Sequence, residues 1–207
     1  MITAIINEYR LANTYIVELN DNQVVLIDLG GPSIDLLLNF LAKKEKTIAA
    51  LFLTHEHADH CVGLLQKDVL GNFQIFCSTN CANNIANKRL NFSLYSDDIE
   101  TFEIVLDYTP VENLEIIEIA EHTFKVFHTP GHSPGCICIL LDEEHFFSGD
   151  TILNGVKTLL TLPSSNKDTY RRSLTLIDKF LQPGLKIYPG HGEQFNYTGT
   201  IVAQMLD

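Results

Sequence analysis

Thr54-His55-Glu56-His57-Ala58-Asp59-His60 follows the apolar run Ile48–Leu53 and precedes a segment with helical spacing. The run is short and has no polar residue, which fits a strand buried on both faces. From Ala58 to about Leu70, Val62, Leu65 and Val69 keep a helical period, so a helix is expected there. The quoted stretch is then a strand-to-helix loop that carries four potential metal ligands within six residues. Histidine offers a neutral imidazole nitrogen and aspartate a hard anionic oxygen, both suited to zinc-like cations. His55 and His57 are two apart and can point to one side of an extended loop. Asp59 and His60 lie across the turn and can face a second position.

Three later turns carry the same residue types beside glycine. They are Thr129-Pro130-Gly131-His132-Ser133-Pro134-Gly135, Ser148-Gly149-Asp150-Thr151 and Tyr188-Pro189-Gly190-His191-Gly192. Glycine lets the backbone bend tightly. Strand-end loops on a rigid sheet are where an α/β domain builds its site. One His or Asp in such a turn is ordinarily a turn-former, but that does not account for the cluster and three such turns in one chain. His122, His128 and His145 lie at strand ends outside ligand-like turns and read as ordinary polar or capping residues.

Around these turns strands and helices alternate. Tyr15–Leu19 and Gln23–Asp28 flank Asn20-Asp21-Asn22 and read as a hairpin. Gly30-Gly31-Pro32 breaks the strand, and Ser33 fits the N-cap of a helix from Ile34 to about Glu45. Asn83 to Asn113 has weak periodicity and reads as a helix plus an irregular connection. Strands are expected at Leu114–Ile119, Thr123–His128, Cys136–Leu141 and His145–Phe147. A helix from about Asp168 to Leu181, a strand at Lys186–Tyr188 and a last helix from about Tyr197 follow. No repeat or low-complexity linker interrupts residues 1–207, so one compact α/β sandwich domain is expected.

Composition narrows the partners. The 207 residues hold 14 basic and 26 acidic side chains, a formal charge of −12. That argues against a broad basic face for nucleic acid or an anionic membrane. A small anionic substrate stays possible where a bound cation dominates the local field. No run approaches the roughly 18 apolar residues of a membrane span, and Met1–Glu8 has no signal-peptide pattern. Five cysteines, an odd number without redox or ligand spacing, read as buried thiols. A reducing, cytoplasmic location is expected. A homodimer is possible on general grounds.

These motifs resemble the metallo-β-lactamase superfamily, from the hairpin ending at Asp28 to Gly190-His191-Gly192, in the family's order. The resemblance implies a four-layer αββα sandwich: two mixed β-sheets, helices on the outer faces, and a metal site along one edge. It implies that His55, His57 and His132 hold one metal and that Asp59, His60 and His191 hold a second. Asp150 would bridge both, with a water or hydroxide. Asp59 and Asp150 are the catalytic candidates. Asp28 would orient a ligand from behind, with help from Thr54. The implied cofactors are two divalent metal ions, zinc first, with iron or manganese as replacements.

The turns at 129–135 and 148–151 are most similar to those of small glyoxalase II-like hydrolases. The implied reaction is hydrolysis of a thioester or related acyl ester through a metal-bridging hydroxide, on a small-molecule substrate. Two departures point away from glutathione. The chain ends soon after His191, where full-length glyoxalase II adds a helical region. Ile152–Lys157 also replaces a Gly/Arg-rich loop. The alternatives are a persulfide dioxygenase-like oxidoreductase with one iron and a metal-binding member without turnover. Phe92, Tyr95, Lys157 and Tyr170 are the pocket candidates, with no substrate contact assigned. Arg171-Arg172 are expected to face solvent.

Overall fold

The computed structural model describes residues 1–20 and 22–199. Among these residues, twelve strands form two six-stranded sheets, each drawn from one half of the chain. The first holds β1 (Ile2–Ile6), β2 (Asn13–Glu18), β3 (Gln23–Ile27), β4 (Thr47–Phe52), β5 (Gln74–Cys77) and β6 (Thr109–Pro110), in that order. The second holds β7 (Ile116–Ile119), β8 (His122–His128), β9 (Ile137–Leu141), β10 (His145–Gly149), β11 (Lys186–Pro189) and β12 (Phe195–Asn196). Both are mixed. β3 to β6 run parallel and β1 to β3 antiparallel, and β10 with β11 is the parallel pair of the second sheet.

Alternate residues build two separate layers of core, as the period of two in a strand requires. Tyr15, Val25, Ile27 and Phe52 face Phe124, Val126, Ile139 and Phe147 between the sheets. Ile16, Leu26, Leu51 and Leu53 point outward and are covered by Leu37 and Leu41 of α1 (Asp35–Lys44). Cys61 of α2 (Ala58–Cys61) and Ile85 of α4 (Thr79–Ile85) complete that cover, with α3 (Lys67–Leu70) lying between them in the chain. On the other side Cys138, Leu140, Phe146 and Ile187 are covered by Tyr170, Leu174 and Ile177 of α5 (Lys167–Ile177). The result is the expected sandwich, with helices on both outer faces. All five cysteines are buried and free. Among the described residues, no helix is long and apolar enough to cross a membrane.

Several boundaries differ from the sequence reading. The helix expected over 58–70 is broken into α2, a 3-10 turn at Val62–Gln66 and α3. The cause is Gly63, whose N–H donates to the Leu29 carbonyl at 2.9 Å; a Cβ there would sit 2.6 Å from Leu29 Cγ. Ser33 does not cap α1 from the expected position: Ile34 is the N-cap, and Ser33 Oγ accepts from the Asp35 N–H at 3.3 Å. Strand β7 begins at Ile116, because Leu114 is left-handed at φ 67°. Helix α5 closes at Ile177, where the N–H groups of Phe180 and Leu181 both turn back onto the Ile177 carbonyl. Tyr197–Gly199 are not helical, and the rest of the last expected helix lies outside the described residues, as does Asp21 of the expected hairpin turn.

His122 links the two sheets at the end away from the glycine turns. Its Nε2 lies 3.1 Å from the Leu19 carbonyl and its Nδ1 2.6 Å from Asp142 Oδ2. With an acceptor at each nitrogen the imidazolium is favoured, and the Asp142 bond raises its pKa above the ordinary 6.5 against a smaller burial effect. A raised folded pKa gives stability that is complete below the unfolded value and lost as pH rises through the folded one. His122→Gln is therefore expected to cost more stability at pH 5.5 than at pH 8.5, by no more than about 1 kcal/mol for so exposed a pair. Urea melts at the two pH values measure it; an equal cost at both would remove His122 as the titrating group.

Candidate metal centre

The strand ends of both sheets meet along one edge. The loop after β4 is extended at His57 (φ −64°, ψ 145°), which puts His55 and His57 on one side. Glu56 between them points away, and its carboxylate accepts from Asn84 Nδ2 at 2.7 Å and Ser133 Oγ at 2.9 Å. Asp59 and His60 sit in the first turn of α2. His132 comes from the β8–β9 connection, Asp150 from the end of β10 and His191 from the end of β11. The Asn13 N–H donates to the Gly190 carbonyl at 2.7 Å, and its Nδ2 to the Pro189 and Gly192 carbonyls at 2.9 Å each.

These seven residues converge as three overlapping groups: His55, His57 and His132; His55, His60 and Asp150; and Asp59, His60 and His191. His57 Nδ1 is 3.1 Å from both His55 Nε2 and His132 Nε2. Asp150 lies between the groups, with Oδ2 3.4 Å from His132 Nε2 and 3.6 Å from His191 Nε2, and Oδ1 3.5 Å from His60 Nε2. Gly190 makes room for this: a Cβ there would stand 2.2 Å from Asp150 Oδ1.

The donor chemistry fits cations. Thr54 Oγ1 donates to Asp28 Oδ2 at 2.7 Å, so it accepts at 3.1 Å from His55 Nδ1. His132 Nδ1 donates to the Leu159 carbonyl at 2.9 Å. His60 Nδ1 donates to Asp28 Oδ2 at 2.8 Å. A neutral imidazole with its proton fixed on Nδ1 presents a lone pair at Nε2, and in these three residues Nε2 faces the cluster. Burial, then the neighbouring imidazoles, hold His55 far below its ordinary pKa. His60 is the reverse case. Burial lowers it, but Asp150, Asp28 and Asp59 around it push it up to about 10. With Asp28 at Nδ1 and Asp59 and Asp150 facing Nε2, the ring sits where positive charge is favoured, and a proton or a metal ion at Nε2 satisfies the same demand.

Asp28 follows β3 in a left-handed conformation, φ 61°, which a short polar side chain tolerates. Its Oδ1 accepts from the Thr54 N–H at 2.7 Å. Asp28→Asn keeps the shape but puts a donor where an acceptor is needed. Such outer partners are worth about 10–100-fold in metal affinity, so that loss is expected in a competition with a zinc chelator. Unchanged affinity would show that Asp28 does not orient His60.

Beside the cluster opens a cleft of about 490 Å³, into which His57, Asp59, His132, Asp150 and His191 project. Of the four pocket candidates it takes Phe92, Tyr95 and Lys157. Phe92 stands edge-to-face on His57 at 4.8 Å. Tyr170 does not reach it: its hydroxyl donates to the Thr151 carbonyl at 2.8 Å inside the core under α5. Arg171 and Arg172 are exposed, as expected. Sequence reading missed Glu56, the Leu159 carbonyl and the Tyr9-Arg10 wall of the cleft. A backbone acceptor leaves no mark in a sequence, and Tyr9-Arg10 carries no turn signal.

The metallo-beta-lactamase superfamily model matches residues 8–191, which span every one of these donors. The chain belongs to that superfamily. A probable metallo-hydrolase of Streptococcus pyogenes is 27% identical over 193 residues, 90% of this chain and 82% of that one. A hydroxyacylglutathione hydrolase of Francisella tularensis subsp. novicida is 26% identical over 159 residues, 76% of this chain. The chain spans only 54% of that relative's length. The BLEG-1 B3 metallo-beta-lactamase crystal structure superposes with a TM-score of 0.86 at 24% identity, covering 99% of this chain and 95% of that one. At that identity the superfamily member shares the fold, and the chemistry must be argued from the site.

Proposed function

We propose that this chain is a hydrolase that holds two divalent metal ions, zinc first, and cleaves a thioester or related acyl ester of a small molecule. The observation that carries the reading is the convergence of the seven donors, with three imidazole tautomers fixed toward the cluster, at the wall of an open cleft. His55, His57 and His132 would hold one ion, Asp59, His60 and His191 the other, and Asp150 both. When bound, such ions supply Lewis acidity and lower the pKa of water.

The chain's own residues favour a thiolate as leaving group. Burial opposes ionisation of Asp59, yet His60 and His191 beside it hold its carboxyl well below the usual carboxylate range. An ionised Asp59 accepts a proton rather than delivering one. An amine or alkoxide leaving from a carbonyl needs a general acid; a thiolate, whose thiol has a pKa near about 8.5, does not. Thr54 and Asp28 keep His55 and His60 aimed, and the Phe92 ring walls His57 from one side.

The test is metal analysis of protein purified without added metal, followed by assays on thioesters, lactones, β-lactams and phosphodiesters. Two zinc equivalents with thioester turnover are expected. One iron with oxygen consumption on a persulfide would replace the hydrolase by a dioxygenase. Full occupancy with no turnover would make the chain a metal-binding protein.

A further inference from the structure

In a chain of net charge −12, the cleft is lined by two cations, Arg10 and Lys157. Arg10 is held in place. Its Nε donates to Tyr9 Oη at 3.2 Å, and its guanidinium carbon stands 5.5 Å from the Tyr9 ring centroid. Tyr9 itself is anchored in the outer core of the first sheet. The Tyr9–Ala12 turn closes through an N–H donated by Ala12 to the Tyr9 carbonyl at 3.5 Å. Both central residues, Arg10 at φ 52° and Leu11 at φ 57°, are left-handed.

That is the pattern of a type I′ turn, which is ordinarily Asn-Gly. Arginine and leucine have no backbone preference for it. The Asp142-Glu143 turn has the same pattern, with φ 50° and 58°, but there the Asp142 carboxylate accepts from the Thr123 N–H at 2.8 Å and from His122. Asp142 thus explains itself through the adjacent strand β8. Arg10 bonds to the neighbouring tyrosine and lines the cleft. Strain kept at the wall of a site points to a role in that site.

The cleft divides by chemistry. Phe92, Tyr95, Leu153 and Leu159 give it an apolar wall, and Arg10 and Lys157 give it positive charge. The Tyr9 bond raises the Arg10 pKa; burial opposes this, and Asp59 and Asp98 add to the rise through space. Asp59 and Asp150 line the same cleft but belong to the donor groups, so Arg10 and Lys157 are the cations left to meet a substrate anion. A guanidinium fork matches the two oxygens of a carboxylate.

We propose that Arg10 is the specificity-determining residue of the cleft and binds a carboxylate on a substrate whose remaining body is apolar. Lys157 assists from the same cleft. This rests on the hydrolase reading for the reaction, and on the cleft alone for the binding.

Two measurements separate the claims. The first compares 3-phenylpropionate with 3-phenylpropionamide by ligand-observed NMR, on protein of measured metal content and again after chelation. The acid is expected to bind tighter than the amide. Arg10→Met is expected to weaken the acid at least about fivefold in both states, as loss of a charge-assisted hydrogen bond implies. Affinity that vanishes on chelation and is untouched by Arg10→Met would overturn the proposal. The second compares the S-(4-nitrophenyl) thioester of monosuccinate with that of its methyl ester. The parent is expected to favour the acid at least about tenfold in kcat/KM. In Arg10→Met that ratio should collapse toward one, mainly through KM, and Arg10→Lys should restore part of it. An equal ratio in parent and Arg10→Met would overturn the assignment. If neither thioester is turned over, the binding comparison still decides Arg10, and the hydrolase reading is decided by the metal analysis and the wider substrate assays.

Discussion

Asp150→Ala is expected to remove bound metal and hydrolytic activity together. The carboxylate lies between the donor groups, within 3.6 Å of the His60, His132 and His191 Nε2 atoms, and on the two-ion reading both ions would share it. Among the described residues its buried Oδ1 has no hydrogen-bond partner, and Gly190 leaves the space it occupies. A buried carboxylate oxygen without a donor is costly unless a cation meets it. Removing residues that only orient ligands costs about 10–100-fold. Removing the shared donor should exceed that range, with kcat/KM down by more than about 100-fold, or about 2.7 kcal/mol in the barrier. At least one metal equivalent should be lost by elemental analysis. Asp150→Asn, nearly the same shape without the charge, should fall between parent and alanine. Unchanged metal content and unchanged hydrolysis would sink the shared role.

The second large effect concerns the layer between the sheets. Phe52 of β4 is fully buried and stacks on Phe76 of β5 at 4.9 Å and on Phe124 of β8 at 5.2 Å, both at 20°. It joins two strands of one sheet to the facing sheet, so no single neighbour can relax into its place. Phe→Ala in such a core costs about 3–5 kcal/mol, a large share of the roughly 5–15 kcal/mol that keeps a domain folded. Phe52→Ala should lower the urea midpoint accordingly, measured with chelator present in both proteins so that metal binding does not mask the difference. A midpoint shift worth less than about 1 kcal/mol would mean the sheets are not locked at this ring.

What the sequence made legible was local chemistry. Thr54–His60 after an apolar run, and His or Asp in glycine turns, mark the strand ends because turn chemistry and donor type sit in the same few residues. The central strands of the first sheet were legible because Tyr15–Leu19 and Gln23–Asp28 are β-rich runs on either side of the turn-formers Asn20-Asp21-Asn22. Strands β1 and β5 were not: Ile2–Ile6 is an edge strand with only partial burial, and Gln74–Cys77 is four residues long. The break in the 58–70 helix depends on Leu29, distant in sequence. The 83–113 connection is held by Asn91, whose Nδ2 donates to the Ile85 and Phe102 carbonyls at 2.9 Å each. Arg10 was invisible for the opposite reason, since its turn defies the local rule.

The Asn13 contacts also set an order of events. The Pro189, Gly190 and Gly192 carbonyls that Asn13 binds are synthesised about 176 residues after it. Until then Tyr15, Val25, Ile27 and Phe52 on the inner face of the first sheet have no second sheet to cover them, a surface of the kind that makes half-made chains aggregate. His191, the last donor made, is close to the last residue needed for that cover. On the two-ion reading, the donor set is therefore complete only once both halves of the chain have been made.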